Sequence, residues 1–192
     1  MSFKGVKAFE SFLQKPGVVD CHYADDDYIY VASYSFASNG KLYSLYKSNF
    51  TVVNSVSVEG TDATPAIDPR GRVYTSGGLA LASCYVAPAV RCYSTPGLSL
   101  NWNNNYSGVG GWTSSVAIAR YDDDGGYPVF AGKEDPLLPM AGCYNTTYSL
   151  TAYPQNMLGT PYWNYPKGGG TAAIAWDEVY NIDYEGDLYI FT

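Results

Sequence analysis

The chain has 192 residues, of which 46% are hydrophobic, and a net charge of −7, which fits one globular domain of ordinary size. Its 11 Lys and Arg residues do not cluster, and this argues against a nucleic-acid partner. No stretch approaches 18 consecutive apolar residues, and residues 1–7 contain no apolar run of signal-peptide length. We therefore expect no membrane-spanning helix and see no signal peptide.

Tyrosine and glycine each occur 20 times in the chain, and proline occurs 11 times. Tyrosine suits a half-buried pleated surface, whereas glycine and proline mark turns. The composition therefore predicts an all-β fold in which many short strands are joined by frequent turns.

The first segment, residues 4–16, has two interpretations. Apolar residues at positions 6, 9, 12 and 13 have helical spacing, and Lys15-Pro16-Gly17 would end a helix. The segment also occupies the place where the repeat described next requires an outer strand. We expect a strand at residues 6–13 for that reason, and a helix is the alternative.

Four copies of one pattern follow along the chain. Each has a short strand of small residues, a tight acidic or glycine turn and a second strand, and the copies lie at residues 18–33, 64–74, 115–132 and 171–180. A third strand is predicted after each copy, at residues 42–45, 90–93, 147–150 and 188–191. A fourth strand leads into the next copy, as at residues 50–58 and 98–102. The repeat length of roughly 45 to 55 residues is typical of a four-stranded β-propeller blade.

We therefore predict a single β-propeller domain over residues 1–192, with four blades of four antiparallel strands. The blades span approximately residues 17–60, 61–111, 112–168 and 169–192, and residues 4–16 complete the last blade. Pairing of that N-terminal strand with residues 188–191 would close the ring and cover two sheet edges. Small inner-strand residues fit a narrow ring: Ala66, Ala117 and Ala173.

The repeat resembles those of the quinoprotein-like (PQQ-like repeat) β-propellers, which include the pyrroloquinoline-quinone dehydrogenases and the outer-membrane assembly propeller. Residues 64–74, 115–132 and 171–191 carry the resemblance, which concerns the blade and not an activity. The family's enzymes need a large ring with a central cofactor, a metal and a catalytic acid, so we expect no cofactor in a narrow ring. Related propellers usually have seven or eight blades. Half of an eight-bladed dimer is therefore the alternative to a four-bladed monomer.

The chain has four cysteines. A hairpin with its tip near Pro88 would bring Cys84 and Cys92 together as a disulfide, and buried free thiols are the alternative. Zinc is not expected, because no cysteine pair has zinc-ligand spacing and His22 is the only histidine.

Two loops, residues 101–112 and 161–166, combine aromatic rings with asparagine amides. Such rings, when exposed, could stack on sugars or contact a protein, and the candidate ligand-binding residues are Trp102, Trp112, Tyr162 and Trp163. The alternative is that each tryptophan braces an outer strand, since large aromatic side chains are mostly buried.

Two acidic runs, at residues 25–27 and 122–126, lie where hairpin turns are expected, and their spacing does not match a calcium loop. No metal site is therefore predicted. Three asparagines fit the glycosylation acceptor pattern, which favours an extracellular or cell-surface location: Asn49, Asn105 and Asn145.

Candidate catalytic groups are few. A Ser-His-Asp set would depend on His22, which no nucleophile elbow accompanies, and the sequence contains no phosphate loop or dinucleotide fingerprint. We therefore predict a non-catalytic structural or interaction module whose partner is itself, as an oligomer or filament, or another protein. A carbohydrate-binding propeller and a propeller hydrolase or lyase with a carboxylate site are the alternatives.

Overall fold

The computed structural model describes residues 18–24, 27–33, 40–58, 64–81, 84–105, 115–119, 129–133, 149–153, 163–165, 171–175, 178–182 and 186–191. This part of the chain contains 15 strands and no helix, which confirms the predicted all-β class. Accordingly, the described ranges include no helix with the length and apolar character needed to cross a membrane.

The described strands form four antiparallel sheets, each with its strands in chain order. Sheet I contains β1 (Val18–Ala24), β2 (Tyr28–Ser33), β3 (Gly40–Tyr46) and β4 (Val52–Val58). Sheet II contains β5 (Ala66–Asp68), β6 (Arg72–Leu81), β7 (Cys84–Ser94) and β8 (Ser99–Asn105). Sheet III contains β9 (Ala117–Ile118), β10 (Val129–Lys133), β11 (Ser149–Tyr153) and β12 (Trp163–Tyr165). Sheet IV contains β13 (Ala173–Ala175), β14 (Glu178–Ile182) and β15 (Leu188–Phe191).

The predicted hairpin at residues 64–74 forms around a tight turn between β5 and β6. The Gly71 amide donates a hydrogen bond to the carbonyl of Asp68 over 3.1 Å. Pro69 follows Asp68, at the turn position whose backbone angle proline already has. Gly71 adopts a φ of 74°, a left-handed conformation that glycine reaches without a steric penalty.

A second turn recurs between the third and fourth strands of sheets I and II. The amide of Phe50 donates to the Tyr46 carbonyl over 2.7 Å, and the amide of Leu98 donates to the Ser94 carbonyl over 2.9 Å. Phe50 and Leu98 have φ values of 56° and 55°. The two sheets therefore share their turn geometry, although the two turn sequences have no residue in common at matched positions.

The second strand of each sheet carries an aliphatic residue followed by an aromatic one, as Ile29-Tyr30, Val73-Tyr74, Val129-Phe130 and Val179-Tyr180. Because successive side chains of a strand point to opposite faces, each pair supplies one residue to each face of its sheet. We call the face with the aliphatic residue the leading face and the face with the aromatic residue the trailing face.

Three cores form where the trailing face of one sheet packs on the leading face of the next. Between sheets I and II lie Tyr30, Leu42, Val58, Val73, Tyr93 and Leu98. Between sheets II and III lie Tyr74, Val90, Cys92, Trp102, Val116, Val129 and Ala131. Between sheets III and IV lie Phe130, Ala172 and Val179, with Ala117, Ala119, Ile174 and Phe191 packed around them. The sheets are therefore stacked face to face in chain order, as propeller blades are.

The first strands of the four sheets lie side by side, β1 next to β5, β5 next to β9 and β9 next to β13. The Thr64 amide donates to the Ser115 hydroxyl over 2.9 Å, and the Ser115 amide donates to the Thr171 hydroxyl over 2.9 Å. Each of these residues stands two positions before the first strand of its sheet. The hydroxyl residue that opens three copies of the repeat therefore joins neighbouring sheets. The predicted closing strand at residues 4–16 lies outside the described residues.

Candidate functional site

The trailing face of sheet IV is apolar and exposed. Tyr180 pairs with Ile190, and Ile182 pairs with Leu188, so that these four residues share one face. Ile182, Leu188 and Ile190 have exposed fractions of 55%, 56% and 54%. We call the four residues the terminal face.

The equivalent positions of sheet II are buried. Alignment of the two strand registers places Tyr180, Ile182, Leu188 and Ile190 at the positions of Tyr74, Ser76, Val90 and Cys92. None of these four residues of sheet II is more than 2% exposed, and three of them pack against sheet III. Within the described part of the chain, the terminal face therefore matches a sheet–sheet interface on which no second sheet packs. A contiguous apolar patch of this kind is typical of an interaction site.

Acidic residues border the terminal face. The hydroxyl of Tyr180 donates a hydrogen bond to the carboxylate of Glu178, and this bond raises the pKa of Tyr180. Asp187, which is exposed, directly precedes Leu188. The described residues of sheet IV include no lysine or arginine. The surface is thus apolar at its centre and negative at its rim.

The leading face of sheet I has a different character. Its apolar cluster consists of Ile29, Val31, Tyr43 and Leu45, and no described residue of another sheet belongs to it. Val31 and Leu45 are buried, whereas Val52, which pairs with Leu45, has an exposed fraction of 45%. The exposed Lys41 lies two residues before Tyr43 and therefore on the same face. We call Ile29, Lys41, Tyr43 and Val52 the initial face.

A buried polar network stabilises the first hairpin of sheet II. The Asp68 carboxylate accepts hydrogen bonds from the amides of Arg70 and Arg72, over 2.8 and 3.1 Å, and from the Tyr74 hydroxyl over 2.7 Å. Burial and the neighbouring Cys92 and Asp68 raise the pKa of Tyr74 far above its ordinary value. Each of the three donors is thereby satisfied within the hairpin, which indicates a structural role for Asp68.

Cys92 lies beside this network as a buried free thiol. Its sulfur accepts a hydrogen bond from the Asn101 side-chain amide over 3.6 Å. Burial raises the pKa of the Cys92 thiol to about 11 from an ordinary value of 9.0. The thiolate is the nucleophilic form of cysteine, so this environment makes Cys92 a poor nucleophile at neutral pH.

The raised pKa of Cys92 predicts a loss of stability in alkali. Between pH 9 and pH 11 the unfolded chain releases the thiol proton while the folded chain keeps it, so rising pH favours unfolding. We expect wild type to lose about 2 kcal/mol more unfolding free energy than Cys92→Ala between pH 8 and pH 10.5. Urea unfolding at both pH values measures this difference. Equal losses in the two proteins would contradict the assignment.

The predicted aromatic ligand site is not assembled at Trp102. This residue is only 5% exposed and packs on Tyr74, with 6.0 Å between the ring centroids. Sheet III covers the ring of Trp102, so that the side chain braces the outer strand, which is the alternative given for the tryptophans. Trp163 pairs with Ala152 just as Trp102 pairs with Cys92, so the two tryptophans occupy the same register position. Trp112 and Tyr162 lie outside the described residues.

The structure does not contain the predicted disulfide between Cys84 and Cys92, since Cys92 is a free thiol. Both residues lie on the single strand β7, about 26 Å apart at the usual rise per residue. The chain turns back between Leu81 and Cys84, which are paired, and not at Pro88. Pro88 lies where the register shifts between β6 and β7, and such an irregularity tolerates the missing proline amide.

Of the three predicted glycosylation sites, only Asn49 has a described side chain. It is exposed in the turn between β3 and β4, and its side-chain oxygen accepts a hydrogen bond from the Thr51 amide over 3.0 Å. The asparagine and threonine of this acceptor pattern therefore also have a local structural role. Asn105 ends β8, and Asn145 lies outside the described residues.

Sequence reasoning missed a surface pocket at the turn end of sheet I. Its volume is about 410 Å³, and it is lined by Asp27, Tyr28, Tyr46, Lys47 and Ser48. The rings of Tyr28 and Tyr46 lie 5.4 Å apart at an angle of 33°. The only signal in the sequence is the two tyrosines, Tyr28 and Tyr46. They are recognisable as a cross-strand pair only when the register between β2 and β3 is known.

No protein-family model matches the chain, and no curated protein matches it significantly. The chain is similar in structure to the quinohemoprotein alcohol dehydrogenase ADHIIG from Pseudomonas putida HK5, with a TM-score of 0.57 and 12% identity over 88% of this chain and 32% of that one. BamB from Moraxella catarrhalis is also similar, with a TM-score of 0.38 and 12% identity over 88% of this chain and 56% of that one. The chain thus spans about a third of the length of the dehydrogenase.

The likeness to the dehydrogenase concerns the fold alone. Together with the face-to-face stacking of the sheets, it supports the propeller-like repeats predicted from the sequence.

Proposed function

We propose that the protein is a non-catalytic propeller module that associates with copies of itself through the terminal face. The observation that supports this proposal is the exposure of Ile182, Leu188 and Ile190 at positions that are buried in sheet II. Association removes such apolar surface from water, which is the dominant favourable contribution to most protein–protein contacts.

A structural role also fits the polar groups of sheet II. Asp68 is held by two backbone amides and by Tyr74, and the Cys92 thiol is protonated at neutral pH. A catalytic acid or nucleophile needs a pKa near the working pH and access to a substrate. The dehydrogenase likeness therefore contributes the blade architecture to the proposal, and its activity is not part of it.

Negative-stain imaging across a concentration series tests self-association. We expect particles larger than the monomer, whose share of all particles grows as the concentration rises, because three large apolar side chains become buried at each contact. Particles of monomer size alone at the highest concentration would contradict the proposal.

A second candidate function is the binding of a carbohydrate in the Tyr28–Tyr46 pocket. The supporting observation is a partly exposed pair of tyrosine rings beside the exposed polar residues Asp27, Lys47 and Ser48. Aromatic faces stack on sugar rings while neighbouring polar groups bind hydroxyls. Calorimetric titration with a glycan panel tests it: heat of binding that disappears in Tyr46→Ala supports this function, and no heat with any glycan opposes it.

A further inference from the structure

Two hydroxyl groups are buried between sheets I and II. Ser44 pairs with Tyr30 across β2 and β3 and therefore lies on the trailing face of sheet I. Thr75 stands two residues after Val73 on β6 and therefore lies on the leading face of sheet II. The exposed fractions of Ser44 and Thr75 are 0% and 3%, and neither hydroxyl oxygen has a hydrogen-bond partner in the protein. Both hydroxyls thus point into the interface where Tyr30 and Val73 pack together.

The interface between sheets II and III carries apolar groups at the same two places. Ser44 stands at the register position of Cys92, and Thr75 stands at that of Ala131. Cys92 and Ala131 belong to one buried cluster between sheets II and III. The repeat therefore brings Ser44 and Thr75 to one region of their own interface, with two hydroxyls where the next interface has a thiol and a methyl group.

The surroundings of the two hydroxyls suit a water molecule better than an ion. Arg91 pairs with Thr75, and Tyr93 lies two residues further along β7, so the buried Nε atom of Arg91 and the buried hydroxyl of Tyr93 share the leading face with Thr75. A buried water needs two to four polar partners, which this region supplies. A charged ligand would lose its hydration beside apolar side chains such as Leu42 and Val73. A water is neutral, and it both donates and accepts hydrogen bonds.

Sheets I and II also cannot form the amide–hydroxyl link that joins the next two sheets. In that link the Thr64 amide donates to the Ser115 hydroxyl. The residue two positions before β1 is Pro16, which has no amide hydrogen to donate to Thr64. At the outer strands, the Asn54 side-chain amide donates to the Gly97 carbonyl and joins the two sheets there. A water-mediated link would add a hydrogen-bonded connection between the inner parts of the sheets.

We infer that one ordered water molecule binds between sheets I and II and bridges the hydroxyls of Ser44 and Thr75. The water donates a hydrogen bond to one hydroxyl oxygen and accepts one from the other hydroxyl, so that both buried groups have a partner. This bridge joins β3 to β6 and stabilises the contact between the two sheets. The site lies inside the module and does not depend on the terminal face.

A crystal structure at high resolution tests the site directly. We expect an electron-density peak about 2.7–3.0 Å from both the Ser44 and the Thr75 hydroxyl oxygens, and we expect the peak to be absent from Thr75→Val. Hydroxyls that bond to each other or to backbone carbonyls, with no density between them, would overturn the inference. A peak that persists in Thr75→Val would do so as well, because Thr75 would then not hold the water.

Urea unfolding of Ser44→Ala, Thr75→Val and the double variant tests the bridge in solution. Each single change leaves the other hydroxyl without its share of the bridge, so we expect the unfolding equilibrium constant to rise about 5-fold. The double variant should rise less than either single variant, because replacement of both polar partners by apolar groups is nearly neutral. Ser57→Ala, at an exposed serine of sheet I, is the matched control and should unfold like wild type. Single variants that are more stable than wild type, or losses that add in the double variant, would contradict a shared water.

Discussion

Replacement of Trp102 by alanine is expected to lower the free energy of unfolding by about 3–5 kcal/mol. The indole is buried between sheets II and III, where it packs in one cluster with Tyr74, Val116 and Val129. Its removal leaves a cavity that the surrounding strands fill only in part, because four-stranded sheets on either side constrain them. Urea unfolding followed by far-ultraviolet circular dichroism measures the loss without relying on tryptophan fluorescence.

Leu100→Ala is the matched control for this change. Leu100 lies on the same strand but is exposed, so its truncation should alter stability by no more than about 0.5 kcal/mol. A loss below about 1 kcal/mol in Trp102→Ala would contradict a core position and would return Trp102 to the list of possible ligand contacts.

Removal of the Asp68 side chain is expected to cost about 2–4 kcal/mol of stability. Asp68→Ala leaves the hydroxyl of Tyr74 and the amides of Arg70 and Arg72 without the carboxylate that they share. Tyr74 is fully buried, so water cannot replace the lost acceptor without entering the core. A buried donor without a partner costs about 1–3 kcal/mol. Thermal and urea unfolding of the two proteins measure the effect.

Tyr74→Phe separates the contributions to this network. It removes one of the three donors but leaves the two amide bonds of Asp68 in place, so we expect a loss of about 1 kcal/mol. The double variant should lose less than the sum of the single losses, because both changes remove the same hydrogen bond. Strict additivity would show that the Tyr74 hydroxyl does not interact with Asp68.

Local sequence signals predicted the repeat well. The order of Asp68, Pro69 and Gly71 specifies a tight turn by backbone preference alone, and the turn forms between β5 and β6. The second strand predicted for the copy at residues 64–74 also forms, and Val73 and Tyr74, which point to its two faces, are both buried. Three of the predicted copies begin with a hydroxyl residue: Thr64, Ser115 and Thr171. Their role in joining neighbouring sheets emerged only from the structure.

Predictions that depended on longer-range geometry were less reliable. Pro88 suggested a turn because proline is common in turns, yet the strand register accommodates it and separates Cys84 from Cys92. Trp102 occurs beside polar asparagines, but its exposure depends on sheet III, which lies far away in the sequence. The left-handed conformation of Phe50 has no local signal, since this region of backbone space is unusual for bulky residues.

The terminal face could not have been located from the sequence either, because its exposure depends on how whole sheets pack. Ile182, Leu188 and Ile190 have the alternating pattern of any propeller strand, and the same pattern is buried in sheet II. What distinguishes these residues is that no sheet in the described ranges packs on them, which only the arrangement of the four sheets reveals. The Tyr28–Tyr46 pocket likewise depends on cross-strand pairing between β2 and β3.

Absolute mass by light scattering after size exclusion, at dilute and concentrated loading, tests most directly whether the terminal face is an open interface. We expect wild type to exceed the monomer mass of 20.9 kDa at high concentration and Leu188→Asp to remain at that mass. A wild-type mass of 20.9 kDa at every concentration would contradict self-association through the terminal face.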